Sequence, residues 1–263
     1  MALWITGLVV IAVGAIGFYF MRRTRRELHA MIGTETLSIP ELERLRGISD
    51  EVGARGGFRK IAEVVGAAHP RPEGPLVAEL SKSECVWYSF EVLRQYEDTE
   101  YRDGERHTVR RSERVAGHTS WEGYAVIDEQ GRTIGVDPNG TGPDGAEQTV
   151  SRFEPYQGQQ ERVELFGIKI PGFLTGNNSS TIGYEYKEWV IRPGRRLYIL
   201  GEVHDKIGPL VVAKPEGGGH FIISTRTEQE LRASREKRHR YLSIGVIAAV
   251  VIGAGLVIGG LAI

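Results

Sequence analysis

Residues 183–203 read GYEYKEWVIRPGRRLYILGEV. Aromatic and β-branched residues crowd both halves, a composition that suits a pleated, half-buried surface. Between them, Arg192-Pro-Gly194 is a turn in which proline presets one dihedral and glycine supplies the permissive one. Two strands around one turn set the pattern for everything on either side. Upstream, Cys85–Leu93 (CVWYSFEVL) has the same composition, and Arg94–Val115 reads as a charged, protruding hairpin around Asp103-Gly104. A further hairpin joins Gly123–Asp128 to Thr133–Val136 through Glu-Gln-Gly-Arg132. Ile61–Val65 and Glu161–Leu165 add strands, and Leu210–Ala213 and Phe221–Ser224 finish the sheet around Gly217-Gly-Gly219. Short strands at turn-marked intervals predict a mainly β domain, a small barrel or sandwich, with an OB-like form among the alternatives. The prolines of His69-Pro-Arg-Pro-Glu-Gly-Pro75 confine that segment to a loop.

Outside this region the chain changes character. Ala2–Phe20 and Tyr241–Ile263 contain no charged side chain, and each reaches the ~20 apolar residues that cross a hydrocarbon core of about 30 Å. A secretory signal peptide carries its positive charges ahead of the apolar run. Here Phe18, Tyr19 and Phe20 close the first run, and Arg22, Arg23, Arg25 and Arg26 follow it, the order of an uncleaved anchor. The second run is preceded by Arg232, Arg235, Lys237, Arg238 and Arg240. Both positive flanks face the middle of the chain. The positive-inside rule then predicts a two-span protein of the cell membrane, its termini outside and its soluble domain cytoplasmic. The same flanks favour anionic headgroups of the bilayer. Small residues at Gly245, Ala249, Gly253, Gly255 and Gly259 allow close helix approach, either to Gly7, Gly14 and Gly17 of the first span or to a second copy in a homo-oligomer.

These features divide the chain into spans at 1–20 and 241–263, a basic flank and helical stalk at 21–57, a β domain at 58–225 and a charged juxtamembrane helix at 226–240. In the stalk, Ser38-Ile-Pro-Glu41 starts a short helix, Glu41–Arg46, which Gly47 ends. In the last helix, Glu228→Arg232 and Glu236→Arg240 have the favourable spacing of four.

Charge and cysteine content exclude several classes of function. The 263 residues hold 33 basic and 34 acidic side chains, a net −1. The segments 22–27 and 232–240 carry nine of the basic residues and two of the acidic ones, leaving 24 against 32, a net −8, elsewhere. An acidic domain is a poor partner for nucleic acid. One cysteine, Cys85, makes neither an internal disulfide nor a thiolate zinc or iron–sulfur site.

A catalytic constellation is not legible. Gly217-Gly-Gly219 lacks the Lys-Ser/Thr of a phosphate-binding loop and reads as a turn. His204 and Asp205 either orient one another or end a solvated loop beside Lys206. Cys85 reads as a small buried hydrophobe. The sequons at Asn139, Asn177 and Asn178 are incidental on the cytoplasmic side. Phe166–Leu174 (FGIKIPGFL) either touches the membrane or a partner, or covers the sheet core. No cofactor, metal ligand or catalytic residue is assigned.

The order Phe58–Gly66, then Pro75-Leu-Val-Ala-Glu-Leu-Ser-Lys-Ser-Glu-Cys85-Val-Trp-Tyr88, then Tyr124-Ala-Val-Ile-Asp-Glu-Gln-Gly131, then Tyr186–Val203, then Phe221-Ile-Ile-Ser224 before a charged helix and a span, resembles the GIDE, or "beside a membrane", domain. That domain lies between the two spans of MULAN/MAPL-type RING E3 ubiquitin ligases. The resemblance covers roughly the whole chain and implies a ubiquitin transferase of membranes. A RING needs about eight Cys/His zinc ligands, most of them cysteines, and these residues hold a single cysteine. The chain therefore looks like a stand-alone, prokaryotic-type member. Three readings follow: a membrane-proximal module that binds or senses a protein, lipid or small ligand; a scaffold; or an enzyme. The enzyme would be a ligase working through a separate catalytic partner, or a hydrolase using His204, Asp205 or Glu188.

Overall fold

The computed structural model describes residues 2–102, 104–156, 163–165, 168–170 and 180–261. Asp103, Asn177, Asn178 and most of the apolar segment 166–174 lie outside the described residues. In chain order the elements are helices α1 (Ala2–Gly33) and α2 (Ile39–Glu51), then strands β1 (Arg59–His69), β2 (Leu76–Val77), β3 (Glu84–Cys85), β4 (Trp87–Arg102), β5 (Glu105–Thr119), β6 (Tyr124–Ile127), β7 (Thr133–Val136), β8 (Glu147–Pro155), β9 (Val163–Leu165), β10 (Ile168–Ile170), β11 (Thr181–Ile191), β12 (Arg196–His204), β13 (Val211–Ala213) and β14 (Ile222–Ser224), and helix α3 (Glu228–Leu261). They form two compact units, one from residues 1–36 and 226–263, the other from 37–225.

The larger unit is mainly β and is built on a closed five-stranded barrel. Its ring runs β1-β6-β7-β13-β12 and back to β1, with β14 added on β12. Counting the five barrel strands in chain order, the ring is 1-2-3-5-4. The third and fifth strands, β7 and β13, are parallel, and the remaining pairs are antiparallel. That is the strand order of an OB-type barrel, so the barrel alternative and its OB-like form are what the structure contains. Closure depends on β1 serving two neighbours. Residues 59–67 pair with β12 and residues 67–69 with β6. At the changeover, a Cβ on Gly66 would collide with the Val126 side chain and the Ile127 carbonyl, so only glycine permits this approach.

Two insertions into the barrel build a second, four-stranded antiparallel sheet in the order β5-β4-β11-β8. One insertion lies between β1 and β6, the other between β7 and β12. This arrangement changes the meaning of residues 183–203. Their two strands do not pair with each other. β11 lies in the four-stranded sheet and β12 in the barrel, so Arg192-Pro-Gly194 passes the chain between sheets. The turn is pinned to the barrel, with Gly194 N–H donating to Ala68 O at 2.7 Å and Ala68 N–H donating to Arg195 O at 2.8 Å. Gly194 has φ of 81°, a conformation glycine adopts without strain.

Two expectations change in length. Cys85 falls in the short strand β3, and from Trp87 the predicted strand runs on into the first arm of the charged hairpin as one strand, β4, paired with β5 from Ser89↔Thr119 out to Arg102↔Glu105. No breaking residue interrupts it; only its side chains change from apolar to charged. Helix α2 runs through Gly47 to Glu51. An interior glycine costs a helix about 1 kcal/mol. Burial of Ile39 and Leu42 in the barrel core, about 2 kcal/mol each, outweighs that cost. The core itself gathers Ala62, Val64, Val126, Ile134, Val136, Leu197, Ile199, Val203 and Val212. A second cluster under the four-stranded sheet contains Leu80, Phe90, Val92, Val115, Tyr184 and Tyr186.

Candidate functional site

Three places can carry function: the helix pair, a set of buried carboxylates, and an open end of the barrel.

Helices α1 and α3 contain segments of mean hydropathy 1.8 and 2.5 with little buried surface, and both are long and apolar enough to cross a membrane. At 1.5 Å per residue, the 34-residue α3 extends about 50 Å, more than a hydrocarbon core requires. The two pack antiparallel along small residues. A Cβ on Gly7 would meet Val257 Cγ2 at 2.7 Å and Gly253 O at 2.8 Å, and one on Gly253 would meet Ile11 Cγ1 at 2.7 Å. Farther along, Gly14 faces Ala249 and Gly17 faces Val246. Ser243 Oγ contacts Met21 Sδ at 3.3 Å, and Arg235 pairs with Glu27 at 3.4 Å. Gly245, Gly255 and Gly259 have open space where a Cβ would stand. Ala249 and Gly253 therefore turn toward α1, and the other three turn away from it.

Of the basic flanks, Arg22 lies over the Phe18 ring at 5.7 Å and Arg23 pairs with Glu27 at 3.4 Å. Arg232 donates to Met31 O at 2.6 Å and pairs with Glu228. Arg25, Arg26, Lys237, Arg238 and Arg240 are exposed and make no ion pair among the described residues.

The carboxylates read as candidate catalysts are structural. Asp205 is 2% exposed. Its Oδ1 accepts Phe58 N–H at 3.0 Å, its Oδ2 accepts Gly56 N–H at 3.3 Å, and Arg46 and Arg59 approach to 3.6 and 3.7 Å. The residue is neither solvated nor hydrogen-bonded to His204. Glu188 is fully buried. It accepts Leu80 N–H at 2.5 Å, Ser81 N–H at 3.0 Å and the Thr149 hydroxyl at 3.0 Å, fastening the loop ahead of β3 to β11. Glu63, buried on β1, accepts the Tyr198 hydroxyl at 2.6 Å. Buried carboxylates whose oxygens are taken up by such donors tie segments of the fold together. Sequence reasoning named Asp205 and Glu188 only in its hydrolase alternative and did not single out Glu63. The one available signal was an acidic residue inside an otherwise apolar strand.

Burial first, then Arg59 and Lys206, push the His204 imidazole below its ordinary value. Cys85 is fully buried with Sγ 3.7 Å from Leu76 O. Burial, reinforced by Glu188, pushes its thiol up to about 12, which suits a packed hydrophobe and not a nucleophile. Among the described residues no group of three or more His, Cys, Asp or Glu is placed to hold a metal.

At the end of the barrel, a cleft of about 500 Å³ lies between the start of α2, β1 and the β6–β7 turn. Ile39, Val65, Ala67 and Ile127 supply its apolar wall, and Arg196, Asp128 and Glu129 its charges.

Residues 94–259 are matched by the family model GIDE, described as an E3 ubiquitin ligase. The chain belongs to the GIDE family. No curated protein and no solved structure matches it. The GIDE match begins within β4 and ends within α3. It therefore includes the four-stranded sheet, four of the five barrel strands and the second apolar helix. The GIDE barrel is completed by β1, which lies ahead of the match, and is plugged by Ile39 and Leu42 of α2.

Proposed function

We propose that this GIDE protein is a two-pass protein of the cell membrane whose barrel domain, on the cytoplasmic side, binds a partner protein or a small ligand. The antiparallel pairing of α1 and α3 carries the reading. The chain leaves and re-enters the pair at one end, and the basic flanks of both helices lie at that end. Positive flanks of this kind are retained in the cytoplasm. The barrel-end cleft is the favoured binding place because it combines an apolar wall with a few charged groups. Capture of interactors by the full chain in detergent, compared with Arg196→Glu, tests the assignment. A partner lost on substitution supports the cleft, and identical capture by both proteins removes it.

The family description favours a second reading, ubiquitin-ligase-like work through a separate catalytic partner. These 263 residues hold one cysteine, so the zinc ligands of a RING lie outside them. Ubiquitin transfer by the full chain with and without an added RING subunit distinguishes the readings. Transfer only with the subunit supports the second, and no transfer in either reaction discards it.

A further inference from the structure

The two basic flanks lie more than 200 residues apart in sequence, yet the register of the helix pair brings them to one height. The contacts of Met21 with Ser243 and Glu27 with Arg235 set Arg22 level with Arg240, and Arg25 and Arg26 level with Lys237 and Arg238. From Arg22 to Arg26 the rise is about 6 Å. The headgroup layer of one leaflet is about 5–8 Å deep. Residues 22–27 and 235–240 hold eight basic side chains against two acidic ones, Glu27 and Glu236. Glu27 is engaged by Arg23 and Arg235. Arg25, Arg26, Lys237, Arg238 and Arg240 point into solvent without an ion pair among the described residues. On the apolar side of this band, Tyr19, Phe20 and Tyr241 are exposed, the aromatic girdle that sits at a membrane interface. The cations thus stand one step farther out, at the level of lipid phosphates.

We propose that this band is a binding site for acidic phospholipids, recognising phosphodiester headgroups of net negative charge. Guanidinium forks on two helices offer bidentate contacts to phosphate oxygens. A zwitterionic headgroup presents the same phosphate but offsets it with its own cation. The proposal rests on the membrane-spanning reading above.

The test reconstitutes the full chain in vesicles of equal phosphatidylglycerol and phosphatidylcholine, and measures by mass spectrometry the lipids retained on extraction. Wild-type protein retains phosphatidylglycerol over phosphatidylcholine by about tenfold, a preference that weakens with added salt. The variant Arg25→Gln/Arg26→Gln/Lys237→Gln/Arg238→Gln/Arg240→Gln falls to near parity while keeping its helix content by circular dichroism. Excess inorganic phosphate leaves the wild-type preference intact. Equal retention of both lipids by wild type, an unchanged preference in the variant, or displacement by free phosphate overturns the proposal. Alkaline extraction separates the two claims. A chain stripped from the vesicles refutes membrane spanning, whereas a retained chain without lipid preference refutes only the site. Should the fivefold variant lose its helix content, the salt dependence of the wild-type protein decides alone.

Discussion

The carboxylate of Asp205 accepts the backbone N–H of Phe58 at 3.0 Å, joining the end of β12 to the start of β1. With Gly56 N–H on its other oxygen and Arg46 and Arg59 alongside, one buried side chain holds the seam at which the barrel closes. Replacing it by alanine leaves two backbone donors without their acceptor and takes one carboxylate partner from each of Arg46 and Arg59. Asp205→Ala is expected to cost about 3 kcal/mol, and Asp205→Asn less, because the amide oxygen still accepts one bond. Thermal unfolding of the full chain in detergent measures both. Equal stability of Asp205→Ala and wild type would contradict the closure role.

The seam between α1 and α3 predicts a contrast within a single helix. Gly253→Leu drives a side chain into Ile11 and the Gly7 carbonyl, whereas Gly255→Leu extends into open space. In a Cys85→Ser background with Met21→Cys and Ser243→Cys, the first substitution should reduce disulfide crosslinking severalfold and the second should leave it unchanged. Equal yields from the two would show that the helices do not pack through these glycines.

Burial raises the titration of Cys85 to about 12 and pushes Tyr124 and Tyr186 upward as well. In the unfolded chain these groups lose their protons at lower pH, so stability is fully present below pH of about 8.5 and falls as pH rises above it. Urea unfolding midpoints taken from pH 8 upward should decline steadily. At pH 8, alkylation of Cys85 should be more than about 100-fold slower in the native protein than in urea. Rapid native alkylation would place the thiol at the surface.

Local chemistry made much of this protein legible. The two apolar runs with their basic flanks, the Tyr124–Val136 hairpin and the Pro193-Gly194 turn were each readable from neighbouring residues. Pairing over long distances was not. Nothing near Pro193 says that β11 and β12 enter different sheets, because β4 and β1, which claim them, lie roughly 85–145 residues upstream. The buried carboxylates were obscured for the same reason. Asp205 looked solvated beside Lys206, but its partners at Gly56 and Phe58 lie about 150 residues away. Glu188 takes its donors from Leu80 and Ser81, more than 100 residues distant. The stripe of small residues in α3 was visible in sequence. Which of them face α1 depends on the position of Gly7, in the other helix.

The central claim is that α1 and α3 cross the membrane and hold the barrel domain on the cytoplasmic side. In a Cys85→Ser background, Gly104→Cys places a thiol at an exposed glycine beside the tip of the β4–β5 hairpin. Labelling by a membrane-impermeant maleimide, in right-side-out and inside-out vesicles, reads its location directly. The account predicts labelling in inside-out vesicles alone, with the chain resistant to alkaline extraction. Labelling in right-side-out vesicles, or release of the chain by alkali, would contradict it.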